Sequence, residues 1–67
     1  MSAALVNGTS WDVAGGATVA ELVAAWCPSP RGVAVARNGD VVPRSSWEHT
    51  PVLAGDRIEI VTAAAGG

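Results

Sequence analysis

Few residues in this chain have types and spacing that could do chemistry, and the two C-terminal glycines are the most suggestive. Gly66 and Gly67 end the chain in a carboxylate, with no bulky or charged side chain after Thr62. Because glycine lacks a Cβ atom, its backbone can enter a narrow channel in another protein. A terminal carboxylate can also be activated as an acyl-phosphate anhydride without using any side chain. We therefore expect a carrier whose Gly67 carboxylate is modified inside the active sites of other proteins.

The other reactive side chains form no catalytic or metal-binding pattern. The chain has one cysteine, Cys27, and one histidine, His49, with no acidic residue clearly placed to complete a set. A zinc site needs three or four ligands at suitable spacing, and an internal disulfide needs a second cysteine. We therefore expect no metal site, no catalytic residue and an inert thiol at Cys27. Asp56, after Gly55, is expected to be a turn residue that bonds nearby backbone.

The composition is that of one small globular domain. The chain has 67 residues, of which 49% are apolar and 15% charged, which favours one packed core over disorder. Its net charge is −2, and its four scattered arginines form no basic stripe for nucleic acid. No apolar run approaches the ~20 residues that a membrane span requires, and the first residues lack the pattern of a signal peptide. We expect a cytoplasmic protein that is monomeric when free and binds neither nucleic acid nor membrane.

Strand signals occur in five places and predict a mixed sheet. The dipeptides Asn7-Gly8 and Asn38-Gly39 are typical of tight hairpins, in which both central residues need positive φ. The last strand-like run, residues 57–61, alternates Ile58 and Ile60 with charged residues. Because this run is the most continuously apolar, we expect it in the middle of the sheet, paired with the first strand.

One main helix is predicted between the two hairpins. Thr18 and Glu21 fit a capping box, in which each side chain bonds a backbone N–H at the helix start. Apolar residues then fall at i, i+3, i+4 and i+7, which predicts one stripe that faces the core. This stripe consists of Val19, Leu22, Val23 and Trp26. Pro28 and Pro30 are expected to end the helix. Since so short a helix is stable only when packed, we predict an α+β, β-grasp fold, with the helix on one face of about five strands.

The opposite face of the sheet is the predicted partner interface. Val61 and Leu5 are candidates, because apolar residues on the solvent side of a sheet call for an explanation. The alternation does not decide whether Leu5 or Val6 points into the core. Arg44 and Trp47 are further candidates for partner contact, the alternative being that they pack a short helical turn onto the body.

Taken in order, these residues resemble the ThiS family, the ubiquitin-like β-grasp sulfur carrier proteins of thiamin thiazole biosynthesis. The resemblance covers essentially the whole chain. It rests on Asn7, the stretches 18–22, 33–44 and 53–61, Trp47, and the terminal Gly66 and Gly67. The chain departs from the family at Trp11 and Trp26, where Leu, Ile or Phe is usual. That departure concerns packing and leaves the terminal glycines intact.

The resemblance implies a specific chemistry at the C-terminus. The Gly67 carboxylate would attack the α-phosphate of ATP in an E1-like adenylyltransferase of the ThiF/MoeB type, with release of pyrophosphate. A sulfur donor, such as a cysteine desulfurase or a rhodanese-like persulfide, would then displace AMP and leave a thiocarboxylate. Thiazole synthase (ThiG) would receive that sulfur. Gly66 and Gly67 would thread through the partners' active sites. The chain itself would bind no cofactor and would not be an enzyme, because the partner consumes the ATP.

Several alternatives remain open from the sequence. The small subunit of molybdopterin synthase shares the fold, the terminus and the loading chemistry, although Val42-Pro43-Arg44 and Trp47 favour the thiazole branch. A carrier that feeds cysteine synthesis is a further possibility. In a different class, a β-grasp binding module would never be charged with sulfur, and deletion of Gly67 would then have no effect. We divide the chain into a β-grasp domain, residues 1–62, and a flexible tail, residues 63–67; a frayed chain end is the alternative for the tail.

Overall fold

The computed structural model describes residues 2–27 and 31–62. The predicted helix-ending prolines, Pro28 and Pro30, and the predicted tail with Gly66 and Gly67 lie outside these residues. The elements are β1 (Ala3–Val6), β2 (Thr9–Asp12), α1 (Val19–Trp26), β3 (Val33–Arg37), β4 (Asp40–Val42), a 3₁₀ helix (Arg44–His49) and β5 (Arg57–Thr62). This is the predicted order, with the expected helical turn present as the 3₁₀ helix.

The five strands form one sheet in the order β2-β1-β5-β3-β4. β5 is the central strand, parallel to β1 and antiparallel to β3. The prediction that the last strand lies in the middle and pairs with the first is confirmed. β4 is antiparallel to β3, so β1, β4 and β5 all run in the same direction. A mixed five-stranded sheet with one main helix is the predicted β-grasp architecture.

Both Asn-Gly dipeptides form the tight turns that the sequence predicts. Val6 pairs with Thr9 around the first turn, and Arg37 pairs with Asp40 around the second. The backbone φ angles are 51° and 82° at Asn7-Gly8, and 53° and 89° at Asn38-Gly39. These positive values at both central residues are what a type I′ turn requires, and asparagine and glycine adopt them at low cost.

Helix α1 begins with the predicted capping box. The Thr18 hydroxyl accepts a hydrogen bond from the Glu21 backbone N–H at 3.2 Å, and the Glu21 carboxylate accepts one from the Thr18 backbone N–H at 2.8 Å. The apolar stripe faces the sheet, as predicted. Trp26 is only partly buried, and its ring centroid lies 6.1 Å from that of Trp11 with a 45° tilt. No helix in the described part of the chain is long and apolar enough to cross a membrane.

The hydrophobic core lies between the sheet and α1. Val6 is completely buried whereas Leu5 is 47% exposed, which decides the inward residue of β1 that the sequence left open. Ile58 and Ile60 of the central strand point to the core as predicted. The core consists of Ala4, Val6, Val13, Val19, Leu22, Val23, Cys27, Val35, Val42, Trp47, Val52, Ile58 and Ile60.

Candidate functional site

The strand that leads toward the C-terminal glycines is held on both sides as far as Ile60. On one side, β3 pairs with β5 from Arg37↔Ile58 to Val33↔Thr62. On the other side, β1 pairs with β5 only at Leu5↔Arg57 and Val6↔Ile58, because β1 then turns back toward β2. Further support on this side comes from the first hairpin turn.

The side chain of Asn7 continues the β1 side of the sheet where the backbone of β1 ends. Its Oδ1 accepts a hydrogen bond from the Ile60 backbone N–H at 2.8 Å, and its Nδ2 donates to the Ile60 carbonyl at 3.1 Å. The backbone N–H of Asn7 also donates to the carbonyl of Ile58 at 2.9 Å. A side-chain amide carries a donor and an acceptor, as a peptide group does. Asn7 therefore acts as one more β1 residue beside the end of β5.

The opposite end of β5 is anchored by a buried carboxylate. Asp56 is 7% exposed, and its Oδ2 accepts hydrogen bonds from Arg37 Nε and from the Leu53 backbone N–H, each at 2.8 Å. Its Oδ1 accepts from Asn38 Nδ2 at 3.0 Å. The Oδ1 of Asn38 in turn accepts from the backbone N–H of Arg57 at 2.9 Å. The predicted local bond of Asp56 to backbone is therefore present, and the side chain also connects its own turn to the β3–β4 hairpin.

This arrangement favours the ionised form of Asp56. Burial acts to raise the pKa of the carboxyl group, but the hydrogen bonds from Leu53, Asn38 and Arg37, together with the positive charge of Arg37, outweigh it. The net result is a pKa below the ordinary value. Asp56 is thus an ionised structural anchor at neutral pH. A general acid would need a proton to donate, so the geometry gives this residue a role in stability.

An apolar patch lies on the sheet face opposite α1. Val41 is 76% exposed and Val61 is 64% exposed. Between them lie two small residues of β3, since Ala34 pairs with Val61 and Ala36 pairs with Val41. These residues, together with Val35 and Glu59, line a shallow groove of about 220 Å³. We call Ala34, Ala36, Val41 and Val61 the open-face patch.

Leu5 is exposed on the sheet but does not adjoin the open-face patch. Leu5 pairs with Arg57, and Val61 lies four residues further along β5. At roughly 3.3 Å per residue, this separation is about 13 Å along the strand. The two predicted interface candidates on this part of the sheet, Leu5 and Val61, are therefore separate apolar positions.

The other two interface candidates lie on the α1 side of the sheet. Trp47 is 5% exposed, and its indole N–H donates to the Val42 carbonyl at 2.9 Å. The Trp47 ring is thus part of the core, as expected if it packs the short helical turn onto the body. It is too buried for direct contact with a partner. The guanidinium of Arg44 lies 5.2 Å from the centroid of this ring, a distance typical of a cation–π interaction. Arg44 itself is exposed.

Arg44 nevertheless lies at the end of the sheet where the chain leaves β5. Val42 of β4 and Ile60 of β5 both pair with Val35 of β3. Their Cα atoms therefore lie on either side of Val35, about 10 Å apart across the sheet. Because β4 and β5 run in the same direction, the residues after Val42 and after Ile60 emerge at the same end. Arg44 thus remains a candidate for contact with a partner that binds the end of the sheet where β4 and β5 end.

The remaining reactive side chains, Cys27 and His49, belong to different elements. Cys27 is buried at the C-terminal cap of α1, where its backbone N–H donates to the Val23 carbonyl at 2.8 Å. His49 is exposed at the end of the 3₁₀ helix. Among residues 2–27 and 31–62, no three His, Cys, Asp or Glu side chains are grouped as a metal ion would require.

Three features of this site were not predicted from the sequence. Val41 was missed as an exposed apolar residue, although the alternation that sends Val42 inward also sends Val41 outward. The bridge between Arg37 and Asp56 was missed because it joins residues 19 positions apart. The bonds of Asn7 to Ile60 span 53 positions, and nothing in the local pattern indicates them.

Comparison with known proteins identifies the family. A family model described as the ThiS family matches residues 4–67, which is nearly the whole chain. The chain belongs to the ThiS family. The match covers the sheet, the helix and the terminal glycines, and it confirms the resemblance on which the sequence analysis relied.

A solved structure and a curated protein agree with this membership. The crystal structure of a thiamine biosynthesis protein, ThiS, from Geobacter metallireducens is 32% identical, with a TM-score of 0.78. That match covers 97% of this chain and 99% of the other. A thiazole synthase from Paramagnetospirillum magneticum is 36% identical over 63 residues. This second match covers 94% of the chain but only 19% of the synthase, so the chain spans about a fifth of that relative.

Proposed function

We propose that this ThiS-family chain is a sulfur carrier of thiamin biosynthesis that carries its sulfur as a thiocarboxylate on Gly67. The observation that carries the proposal is the family match, which extends across the β-grasp domain and includes Gly66 and Gly67. The position of β5 supports it. β5 is bonded on both sides as far as Ile60 and therefore gives the chain a fixed position from which to continue toward the glycines.

The proposed chemistry has three steps, and all of them take place on partner proteins. First, a carboxylate oxygen of Gly67 attacks the α-phosphorus of ATP, the α–β phosphoanhydride bond breaks, and pyrophosphate leaves. An E1-like adenylyltransferase of the ThiF/MoeB type supplies the site for this step. Second, sulfur from a persulfide attacks the acyl carbon and AMP leaves. A thiol then cleaves the resulting acyl disulfide and releases the thiocarboxylate.

The thiazole branch is favoured over the other carriers that share this chemistry. A segment similar to this chain forms about a fifth of a protein named thiazole synthase. A carrier and a synthase that act in succession are natural candidates for such a combination in one chain. We therefore propose a thiazole synthase of the ThiG type as the acceptor of the sulfur. In this proposal the chain is a co-substrate and binds no cofactor.

We propose the open-face patch as the surface that docks on the adenylyltransferase. Exposed Val41 and Val61 offer apolar contact area, and the small Ala34 and Ala36 allow close approach of a partner side chain. Val61 is one residue before the end of β5. A partner that covers this patch is therefore next to the point from which Gly66 and Gly67 must reach its active site. Leu5 and Arg44 are proposed as secondary contacts, because they lie outside the patch.

The proposal is tested by charging the purified chain in vitro. The chain is incubated with ATP, a ThiF-type adenylyltransferase and sulfide, which can displace AMP directly to give the thiocarboxylate. We expect the intact mass to rise by the exchange of one oxygen for one sulfur, with the change in the C-terminal peptide. Mapping to that peptide is required because oxidation of Met1, Cys27 or a tryptophan gives nearly the same gain. A variant that lacks Gly67 serves as the control and should stay unmodified.

A Gly67→Ala variant then tests the role of the narrow channel. It adds one methyl group and keeps the terminal carboxylate, so we expect unchanged folding but slower release of pyrophosphate. If the wild-type chain is not charged by an adenylyltransferase that is active on another carrier, the chain is an uncharged β-grasp binding module and the proposal is wrong. If charging occurs, transfer to thiazole synthase but not to the large subunit of molybdopterin synthase would identify the pathway.

A further inference from the structure

Two asparagines of the same kind hold the central strand at its two ends. Asn7 and Asn38 are each the first residue of an Asn-Gly turn, with φ of 51° and 53°. Asn7 bonds the backbone of Ile60 near the end of β5, and Asn38 bonds the backbone N–H of Arg57 at its start. Each side chain thus reaches out of its own hairpin and bonds β5.

The contact of Asn7 requires both halves of its amide group. Oδ1 faces the N–H of Ile60 and Nδ2 faces its carbonyl, at 2.8 and 3.1 Å. An aspartate here would place a second acceptor against the Ile60 carbonyl, and an alanine would leave both backbone groups without this partner. The left-handed backbone conformation also suits asparagine, which adopts it more readily than most residues.

Asn7 is also the last restraint on that side of β5. Within residues 2–27 and 31–62, no group on the β1 side bonds β5 beyond Ile60. Val61 and Thr62 are paired only with β3, through Ala34 and Val33. Without the amide of Asn7, the strand would lose its support on the β1 side from Ile60 onward.

We propose that Asn7 is a positioning residue that fixes the point and direction from which the chain leaves β5 toward Gly67. The inference rests on the proposed function, since it assigns Asn7 a role in presenting Gly67 to the adenylyltransferase. We call the two hydrogen bonds between the Asn7 amide and the Ile60 backbone the clamp. Without the clamp, the end of β5 is less ordered in the free chain and has to become ordered when the partner binds. Ordering the backbone of one residue reduces an association constant by roughly a factor of ten. We therefore expect about a tenfold loss of kcat/KM for adenylation, mainly through a higher KM.

The chain offers a matched control for this test. Asn7→Gly and Asn38→Gly each remove one amide clamp on β5, and glycine accepts the positive φ at either position. Asn38→Gly loses bonds to both Arg57 and Asp56, so its effect on global stability should be at least as large. Its clamp, however, lies at the start of the strand, away from Thr62. An effect on charging that is confined to Asn7→Gly therefore cannot come from lower stability.

The experiment measures pyrophosphate release over a range of carrier concentrations, at a temperature where all three chains are fully folded. Amide hydrogen exchange of the same proteins is followed in parallel. We expect Asn7→Gly to lose about tenfold in kcat/KM and to exchange faster at Ile60 and at Val61, which pairs with Ala34. Asn38→Gly should stay within about twofold of wild type and exchange faster at Arg57.

The outcomes separate this inference from the proposed function. If the wild-type chain is charged but the two variants lose activity equally, Asn7 has only a structural role and the inference is overturned. Unchanged exchange at Ile60 and Val61 in Asn7→Gly would overturn it as well, because the Asn7 side chain would then not restrain the end of β5. If the wild-type chain is not charged at all, the proposed function fails and the role of Asn7 in charging fails with it.

Discussion

Replacement of Asp56 gives the sharpest test of how this small domain is held together. The carboxylate is 7% exposed and accepts hydrogen bonds from Arg37, Asn38 and the Leu53 backbone N–H. Asp56→Ala removes both acceptor oxygens and with them all three hydrogen bonds. The donors on Asn38 and Leu53 are then left in a partly buried site, while the Arg37 side chain, which is 30% exposed, can turn to water.

The expected loss of folding free energy follows from how far these side chains are exposed. Breaking a fully buried ion pair costs about 3–5 kcal/mol, and the partial exposure of Arg37 places this case at the lower end, at about 3 kcal/mol. A 67-residue domain has a free energy of unfolding of roughly 3–10 kcal/mol. Asp56→Ala should therefore remove between a third and all of the stability. Asp56→Asn keeps one acceptor oxygen and should cost less, about 1–2 kcal/mol.

Urea unfolding followed by tryptophan fluorescence measures this effect, with Asp12→Ala as the control. Asp12 is exposed, and its side chain accepts one hydrogen bond, from the Ala14 backbone N–H at 2.9 Å. We expect its removal to cost less than about 1 kcal/mol. If Asp56→Ala were within about 0.5 kcal/mol of this control, the hydrogen bonds of Asp56 would not stabilise the fold, and the structural role assigned to Asp56 would be refuted.

The pH dependence supplies an independent check on the charge of Asp56. Its pKa is lowered in the folded chain from an ordinary value of 3.8. The unfolded chain therefore binds the proton more tightly, and the stabilisation is fully present above the unfolded-state pKa. It is lost as the pH falls below that value and through the folded-state pKa. We expect the stability difference between wild type and Asp56→Asn to shrink as the pH is lowered from 6 to about 3.

Two further predictions concern the open-face patch and the tryptophan pair. Val41→Glu and Val61→Glu should each change the free energy of unfolding by only about 0.5 kcal/mol. Each should lower kcat/KM for adenylation about tenfold. Ala25→Glu, on the exposed side of α1, is the control, and an equal loss of kcat/KM in this variant would contradict the proposed docking surface. Trp26→Ala should cost about 3 kcal/mol by urea unfolding, because Trp26 packs on the core and on Trp11. The double replacement with Trp11→Ala should cost about 0.5–1.5 kcal/mol less than the sum, and strict additivity would show that the two rings do not interact.

Most of the fold was predictable because its signals are local. The two Asn-Gly turns, the capping box at Thr18 and the stripe along α1 each lie within eight residues and use side chains that favour one backbone conformation. The central place of β5 followed from its apolar character. The inward residue of β1 was not predictable, because Leu5 and Val6 are both apolar and a period-two pattern fits either choice.

The site was harder to predict because its polar contacts join distant parts of the chain. Whether Arg37 meets Asp56 depends on the pairing of β3 with β5, and a slip of one residue would send Arg37 to the other face. Trp47 was a candidate for partner contact, but its packing and its bond to Val42 place it in the core. The exposure of Val41 could have been predicted, because Val42 points to the core and neighbouring residues of a strand point to opposite faces.

A carrier of this kind has to combine a stable body with an accessible terminus, and the position of β5 shows how one sheet can do both. Placing the last strand in the centre gives it neighbours on both sides as far as Ile60, where the Asn7 side chain supplies the bonds on the β1 side. A terminal strand at an edge would be bonded on one side only, and pulling on it in a partner's channel would tend to peel it away. Asn7 and the Asp56 network add side-chain bonds at the two ends of this same strand. Under the proposed function, the residues that stabilise β5 would therefore also set the position from which the chain continues toward Gly67.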